Sequence, residues 1–151
     1  MDAMSQLKKA YDEKGYVICD SLLPMTVVEE LQEVTDKIVN AGAALTASDE
    51  VYEILDDLET KQSRIERIKS PHTVNPCFDA LIRRQEITDV LRALLGPDIR
   101  LQNSKLNVKG KEGSAPVEWH QDWAFYPHTN DDLLAVGVAI DDMTEKNGPL
   151  L

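Results

Sequence analysis

The chain has 151 residues, of which 42% are hydrophobic and 28% are charged, and its formal net charge is −11. This length predicts one domain over residues 1–151, and the composition is typical of a folded protein without disordered tracts. The absence of any run of about 18 apolar residues argues against a spanning helix. The acidic balance argues against nucleic acid or an anionic membrane as partner, because like charges repel.

The N-terminal residues and the two cysteines indicate the cellular compartment of the protein. Residues 1–9 lack the apolar core and the small-residue cleavage site of a signal peptide. Cys19 and Cys77 form neither a CxxC pair nor a disulfide framework. We therefore predict two reduced thiols in a cytoplasmic protein.

The first third of the chain carries helical patterns. Residues 5–14 predict a short helix that Gly15 ends, and the apolar run 16–19 predicts a buried strand. Pro24 is typical of the first position of a helix. Apolar residues then recur at helical spacing up to the expected end at Gly42, and we interpret them as a core-packing stripe: Val27, Val28, Leu31, Val34 and Ile38.

The middle of the chain mixes charged and apolar segments. Residues 49–60 are acidic and are predicted to be partly helical, with a solvated charged face. The alternation of polar and apolar residues over 64–69 predicts a strand. Asn75 followed by Pro76 is typical of a helix start, and a further helix is predicted over 86–95.

After Pro97 the apolar period changes from about 3.6 to 2, which favours strands. Candidate strand segments lie within 99–108, at 119–126 and in the long apolar run 133–140, and 109–117 is predicted to be a loop. A hairpin turn is predicted at the Asn-Gly pair 147–148.

The chain stops soon after this predicted turn. A turn predicts a returning strand, and the apolar Leu150 and Leu151 are typical of its first residues. Helices come first and strands last, so the predicted fold class is α+β with a sheet that is incomplete in this chain. We expect a single domain truncated at its C-terminus.

His120 and Asp122 form the one metal-ligand pattern in the sequence. Residues two apart on a strand point to the same face, so an imidazole and a carboxylate converge there. With a second histidine they would make the facial triad that suits Fe(II) and leaves open positions. An HxD pattern also arises by chance, and an exposed strand with a hydrogen-bonded histidine explains it equally well.

Longer motifs surround this pair. Residues 118–127 are EWHQDWAFYP, residues 145–150 are EKNGPL, and near the N-terminus GYVI at 15–18 precedes LLP at 22–24 and the amphipathic helix. Together these motifs resemble the phytanoyl-CoA dioxygenase family, in which W/P-H-Q-D precedes aromatic residues, an apolar strand and x-x-N-G-x-L. The resemblance runs from residue 5 to 151.

The resemblance implies a double-stranded β-helix, the jelly-roll or cupin-like fold, and an Fe(II) enzyme with 2-oxoglutarate as co-substrate. Such an enzyme hydroxylates a small organic substrate while 2-oxoglutarate is decarboxylated to succinate. On this pattern His120 and Asp122 are two iron ligands and the catalytic residues. Arg67 and Lys105 fall where the family contacts 2-oxoglutarate, although a surface arginine and an exposed strand lysine are the alternatives. Gln102 and Asn107 are weaker candidates for the same face.

The resemblance also implies residues that this chain lacks. The second iron-binding histidine and the arginine that pairs with the far carboxylate of 2-oxoglutarate belong to the C-terminal half of the jelly roll. The other histidines are poor substitutes: His72 follows Ser70-Pro71 in a predicted loop, and His128 lies beyond Pro127 in a predicted turn. Both are more typical of surface or loop positions.

Two alternatives remain open from the sequence. The chain could be a truncated, catalytically inactive relative that acts as a binding or regulatory module and completes its sheet as a homodimer. It could also be an unrelated α+β domain with an accidental HxD pattern. The substrate is not readable, since the aromatic run Trp123, Phe125 and Tyr126 could be either a pocket wall or core.

Overall fold

The computed structural model describes residues 2–56, 63–109, 119–126, 129–130 and 132–147. Helices flank a small antiparallel sheet, which confirms the α+β class. The predicted order of helices first and strands last is wrong, because two strands precede three of the helices. The elements in chain order are α1 (Ala3–Lys14), α2 (Met25–Gly42), β1 (Tyr52–Asp56), β2 (Ser63–Lys69), α3 (Pro71–Val74), α4 (Pro76–Ile82), α5 (Gln85–Leu95), β3 (Lys105–Asn107) and a 3-10 turn (Asp122–Ala124).

The helices begin and end at the residues that local chemistry favours. The Asp2 carboxylate accepts a hydrogen bond from the Ser5 N–H at 2.8 Å, and Gly15 ends α1 in the left-handed conformation, with φ 78°. The side-chain oxygen of Asn75 accepts from the Cys77 N–H at 2.9 Å at the start of α4. The predicted helix boundaries at Gly15 and Asn75 are therefore confirmed.

The three strands lie in the order β1-β2-β3, and β2 carries a bulge. Glu53 lies opposite Arg67, but Ile54 lies opposite Ile65, so Glu66 is an extra residue on β2. Without the bulge, Ile65 and Ile68 would point to opposite faces, because they are three residues apart. With it both are buried, at 8% and 0% exposure, and Arg67 lies on the outer face.

The hydrophobic core lies between the inner face of this sheet and helices α2, α4 and α5. Its buried members are Leu31, Ile38, Ile65, Ile68, Phe78, Leu81 and Ile87. Each large apolar side chain that is fully buried stabilises the fold by about 1.5–3 kcal/mol. The burial of Leu31 and Ile38 confirms that the α2 stripe packs in the core.

Two predictions for the middle of the chain are wrong. Residues 52–56, predicted to be partly helical within 49–60, form β1, while 57–60 lie outside the described residues. Pairing with β2 satisfies the backbone of this segment, and such tertiary pairing overrides a weak local preference. Residues 71–74, where no element was predicted, form α3.

The predicted strands at 16–19 and 133–140 do not form in the described part of the chain. Ile18 is 72% exposed, so the first segment is not buried. A strand requires a neighbour that takes its backbone hydrogen bonds, and none of the described residues pairs with either segment. Ile140 packs against the core instead, and its carbonyl accepts from Gln32 Nε2 at 2.9 Å.

A turn forms at residues 144–147, just before the predicted Asn-Gly turn. The Asn147 N–H donates to the Thr144 carbonyl at 3.1 Å, and the Asn147 side-chain oxygen accepts from the Thr144 N–H at 2.7 Å. Gly148, the second residue of the predicted Asn-Gly turn, and most of the loop predicted over 109–117 lie outside the described residues, so both stay predictions.

None of the helices in the described ranges is long and apolar enough to cross a membrane. The helix α2 has 18 residues, and glutamates at positions 29, 30 and 33 interrupt its apolar residues. Its exposed face is therefore suited to water.

Candidate metal centre and polar sheet face

His120 and Asp122 meet at the surface of the molecule. The Nε2 atom of His120 lies 3.2 Å from Oδ1 of Asp122, and each side chain is 35% exposed. One imidazole nitrogen and one carboxylate oxygen are thus adjacent and reachable from solvent. This is the convergence that the HxD spacing predicts.

The backbone that brings them together is a tight turn, so the strand predicted over 119–126 is wrong. Asp122 begins a 3-10 turn, and its carbonyl accepts from the Phe125 N–H at 2.9 Å and the Tyr126 N–H at 3.1 Å. The Gln121 carbonyl accepts from the Ala124 N–H at 3.1 Å. These local bonds satisfy the segment without a strand partner, and the turn still leaves the two donors side by side.

The aromatic residues of this turn surround the pair but are not core. The Phe125 ring meets the His120 ring edge-to-face, with centroids 5.4 Å apart and an interplanar angle of 88°. Phe125 is 66% exposed and Trp119 is 84% exposed. The Trp123 Nε1–H donates to the Asn130 carbonyl at 3.0 Å, which fixes the next stretch of chain beside the turn.

The donor pair fits two positions of a metal site. Two neighbouring ligands at bonds of about 2.1 Å and right angles lie about 3 Å apart, close to the 3.2 Å between the His120 and Asp122 donors. Within the described ranges, no group of three or more metal-ligating side chains is found. His128 lies outside those ranges.

Arg67 ties all three strands together on the outer face of the sheet. Its Nη1 donates to Glu53 Oε2 on β1 at 3.0 Å, and its Nε donates to Asn107 Oδ1 on β3 at 3.2 Å. The side chains of Arg67 and Glu53 are 34% and 38% exposed. Arg67 therefore contributes to the structure, and its Nη2 has no hydrogen-bond partner among the described residues.

Lys105 lies on the same face as Arg67, because it is two residues from Asn107 on β3. It is exposed and lies opposite Lys69, and like charges facing each other destabilise a sheet. The Lys69 ammonium donates to the Asp49 carbonyl. Gln102 lies before β3, exposed, and its side-chain oxygen accepts from Arg100 at 3.2 Å.

The Asp49 carboxylate lies near the cations of this sheet and has a lowered pKa. Hydrogen bonds from the N–H groups of Tyr52 and Val51, and then the positive charge of Lys69, hold the pKa of the Asp49 carboxyl below its ordinary value of 3.8. The carboxylate therefore stays ionised beside the cations of β2. Arg67, Lys69 and Lys105 outnumber the nearby carboxylates of Glu53 and Asp49, so this face carries a small positive excess on an acidic chain.

The prediction that His72 is a loop residue is wrong. It lies in α3 and is half-buried, and its Nδ1 is 2.6 Å from the Ser104 hydroxyl. No sequence pattern indicated this pair, since 32 residues separate its members. Because Nδ1 of His72 bonds to Ser104, that ring nitrogen is not a ligand of the candidate metal centre.

Comparison with known proteins identifies related sequences. The pattern of the family described as phytanoyl-CoA dioxygenase (PhyH) matches residues 11–151. A probable alpha-ketoglutarate-dependent hypophosphite dioxygenase of Stutzerimonas stutzeri is 38% identical, over 97% of this chain and 51% of its own length. An ectoine dioxygenase of Sphingopyxis alaskensis is 27% identical, over 94% of this chain and 46% of its own. An L-proline trans-4-hydroxylase of Streptomyces griseoviridis is 29% identical, over 62% of this chain and 36% of its own length.

The chain spans about half the length of the curated relatives that it matches along most of its own length. No solved structure gives a significant match. The family match over residues 11–151 overturns the alternative of an unrelated α+β domain with an accidental HxD pattern.

Proposed function

Because this chain belongs to the phytanoyl-CoA dioxygenase family, we propose that it is part of a non-haem Fe(II)/2-oxoglutarate-dependent dioxygenase that hydroxylates a small molecule. The observation that carries this proposal is the 3.2 Å approach of His120 Nε2 to Asp122 Oδ1 at an accessible turn. The pairing of a neutral nitrogen donor with a carboxylate is the ligand chemistry that suits Fe(II).

His120 and Asp122 would hold the metal, and the 3-10 turn would keep their donors adjacent before the metal binds. The bound Fe(II) would supply the capacity to activate O2, which amino-acid side chains lack. One oxygen atom would enter the substrate and the other succinate, while 2-oxoglutarate loses CO2. The Phe125 ring, packed edge-to-face with the His120 imidazole, would limit the rotation of that imidazole.

Arg67 and Lys105 would bind the carboxylates of 2-oxoglutarate. This proposal is supported by their common face and by the Nη2 group of Arg67, which can donate to a carboxylate while Nη1 and Nε keep their bonds to Glu53 and Asn107. A dianion beside Lys105 would also offset the repulsion between Lys105 and Lys69. The small positive excess of this face acts at short range, where the net charge of −11 on the whole chain is largely screened.

We propose a small polar substrate with an oxidisable C–H or P–H bond. The relatives are named for hypophosphite, ectoine and L-proline, which are all small and polar. Hypophosphite is the first compound to test, since the relative named for it is 38% identical over nearly the whole chain. Among the described residues, no atom beyond its chain neighbours lies within 4 Å of a Cβ built on Gly137, and this space could hold a substrate or a side chain.

We also propose that the sheet belongs to a jelly roll. The strand β3 is three residues long and lies at the edge of the described sheet, and residues 133–140 are apolar without a strand partner among the described residues. Exposed edges of this kind are normally paired or covered. A crystal structure of the natural full-length protein tests this directly, since further strands should pair with these segments.

The decisive experiment uses the natural full-length protein, anaerobic Fe(II) titration and an assay of succinate release with hypophosphite, ectoine and L-proline. His120→Ala and Asp122→Ala should each weaken metal binding by more than about 100-fold, since even outer-shell partners contribute 10–100-fold. Both should abolish iron-dependent succinate release. Asp98→Asn, which removes an exposed carboxylate outside the turn, should change neither quantity.

Two outcomes would contradict the proposal. Normal succinate release by either alanine variant would exclude that residue as an iron ligand. A folded wild-type homodimer that binds no Fe(II) and releases no succinate would instead support the binding-module alternative.

A further inference from the structure

His72 and Ser104 join helix α3 to the start of strand β3. Their side chains approach to 2.6 Å, and both residues are half-buried. The Ser70 N–H also donates to the Ser104 carbonyl at 3.0 Å. Ser104 is thus held at its backbone by the end of β2 and at its side chain by α3.

The strand β3 depends on such anchors. It consists of Lys105–Asn107 and pairs with β2 alone among the described elements. At the far end of the strand, the Val108 N–H donates to the Glu66 carbonyl at 2.9 Å, and the Asn107 side chain accepts from Arg67 Nε at 3.2 Å. A three-residue strand makes few backbone hydrogen bonds of its own, so the bonds at its two ends affect how often it opens, whichever strand pairs with its other side.

From this arrangement we propose that His72 is a positioning residue, which fixes Ser104 and thereby holds Lys105 and Asn107 beside Arg67. The inference rests on the proposed function, in which Arg67 and Lys105 bind 2-oxoglutarate. Displacement of β3 would move the Lys105 ammonium and would break the bond from Arg67 Nε to Asn107 Oδ1. His72 acts through Ser104 and does not itself contact the co-substrate.

A histidine–serine pair suits this role. The hydroxyl both donates and accepts, so it can bond with either tautomer of the imidazole. The ring is also rigid beyond its second torsion, so little side-chain freedom is lost when the bond forms. A bond that served α3 alone would not need a partner 32 residues away; the Thr73 hydroxyl, which donates to the Ser70 carbonyl at 2.9 Å, makes a bond of that local kind.

The test compares variants of the natural full-length protein by amide hydrogen exchange over residues 105–108 and by steady-state kinetics in 2-oxoglutarate. His72→Phe and Ser104→Ala each remove the bond, whereas Ser104→Thr keeps a hydroxyl. Thr73→Ala is the matched control on α3. The bond-deleting variants should exchange about 5–10-fold faster and raise the KM for 2-oxoglutarate by a similar factor, as expected for one lost hydrogen bond. Their kcat should change less than about twofold, and Ser104→Thr should restore exchange and KM.

Wild-type exchange and KM in Ser104→Ala would overturn the inference, even if His72→Phe fails to fold. A fall in kcat at unchanged KM would also overturn it, since it would indicate a role in the chemistry rather than in co-substrate binding. Lys105→Ala separates the two proposals. An unchanged KM in that variant would remove Lys105 from the proposed function, and the exchange of residues 105–108 would then decide the role of His72 alone.

Discussion

Replacing Gly42 by alanine tests how closely α2 packs on the sheet that carries the polar face. A Cβ built on Gly42 lies 2.5 Å from Cε1 and 2.8 Å from Cδ1 of Tyr52, and 2.9 Å from Cδ1 of Ile65. Non-bonded carbon atoms essentially never approach this closely, so the helix or the two side chains must move. Tyr52 lies on β1 and Ile65 on β2, so the displacement would reach both strands.

The expected magnitude follows from two opposing effects. Alanine is favoured over glycine in a helix by up to about 1 kcal/mol, and less at the last residue of one. Overpacking in a core costs about 1–3 kcal/mol. The Tyr52 ring cannot turn away freely, because its hydroxyl donates to the Ile38 carbonyl at 2.8 Å, a bond that contributes about 1 kcal/mol. We expect Gly42→Ala to lower the free energy of unfolding by about 1–3 kcal/mol.

Urea unfolding followed by circular dichroism measures this change, with Gly137→Ala as the matched control. In the part of the chain that the structure describes, no atom beyond the neighbouring residues lies within 4 Å of a Cβ at Gly137. That variant should therefore stay within about 0.5 kcal/mol of the wild type. Adding Tyr52→Ala to Gly42→Ala should destabilise by less than the sum of the single changes, because it removes the main clash. A Gly42→Ala protein as stable as the wild type would refute the packing described for α2.

Three further predictions concern stability and reactivity. Ile68 is fully buried, so Ile68→Ala should lower the free energy of unfolding by about 2–5 kcal/mol in the same urea assay. Ile18 is 72% exposed, so Ile18→Ala should change that free energy little. The Arg83 hydrogen bonds, and to a smaller degree the charges of Arg83 and His72, lower the pKa of Asp79 below its ordinary 3.8. The ionised Asp79 carboxylate therefore stabilises the fold at pH values above its ordinary pKa, and this contribution is lost as the pH falls through the lowered pKa. In thermal unfolding measured from pH 6 to 2.5, the Tm of Arg83→Ala should approach that of the wild type at the acid end. Burial, and then the negative charge of Glu30, raises the pKa of the Cys77 thiol, so Glu30→Gln should speed its alkylation at pH 8; an unchanged rate would exclude Glu30 as a cause.

The sequence alone determined the features that depend on neighbours within a few residues. The helix α2 follows from a stripe at helical spacing, α1 ends where Gly15 permits a positive φ, and α4 begins where Asn75 caps it. The spacing of His120 and Asp122 predicted their proximity through a strand, but it is the turn formed at Asp122 that brings the two side chains together. The motifs around that pair were also sufficient to identify the family.

Only the tertiary structure decided where the strands pair and which side chains meet across them. The spacing over 49–60 fitted a helix, yet β1 forms because β2 takes its backbone hydrogen bonds. The contact of Arg67 with Asn107 spans 40 residues, and that of His72 with Ser104 spans 32. A bulge at Glu66 then turns Ile65 and Ile68 to one face and Arg67 to the other. Such contacts depend on the register between distant segments, and no periodicity within either segment encodes that register.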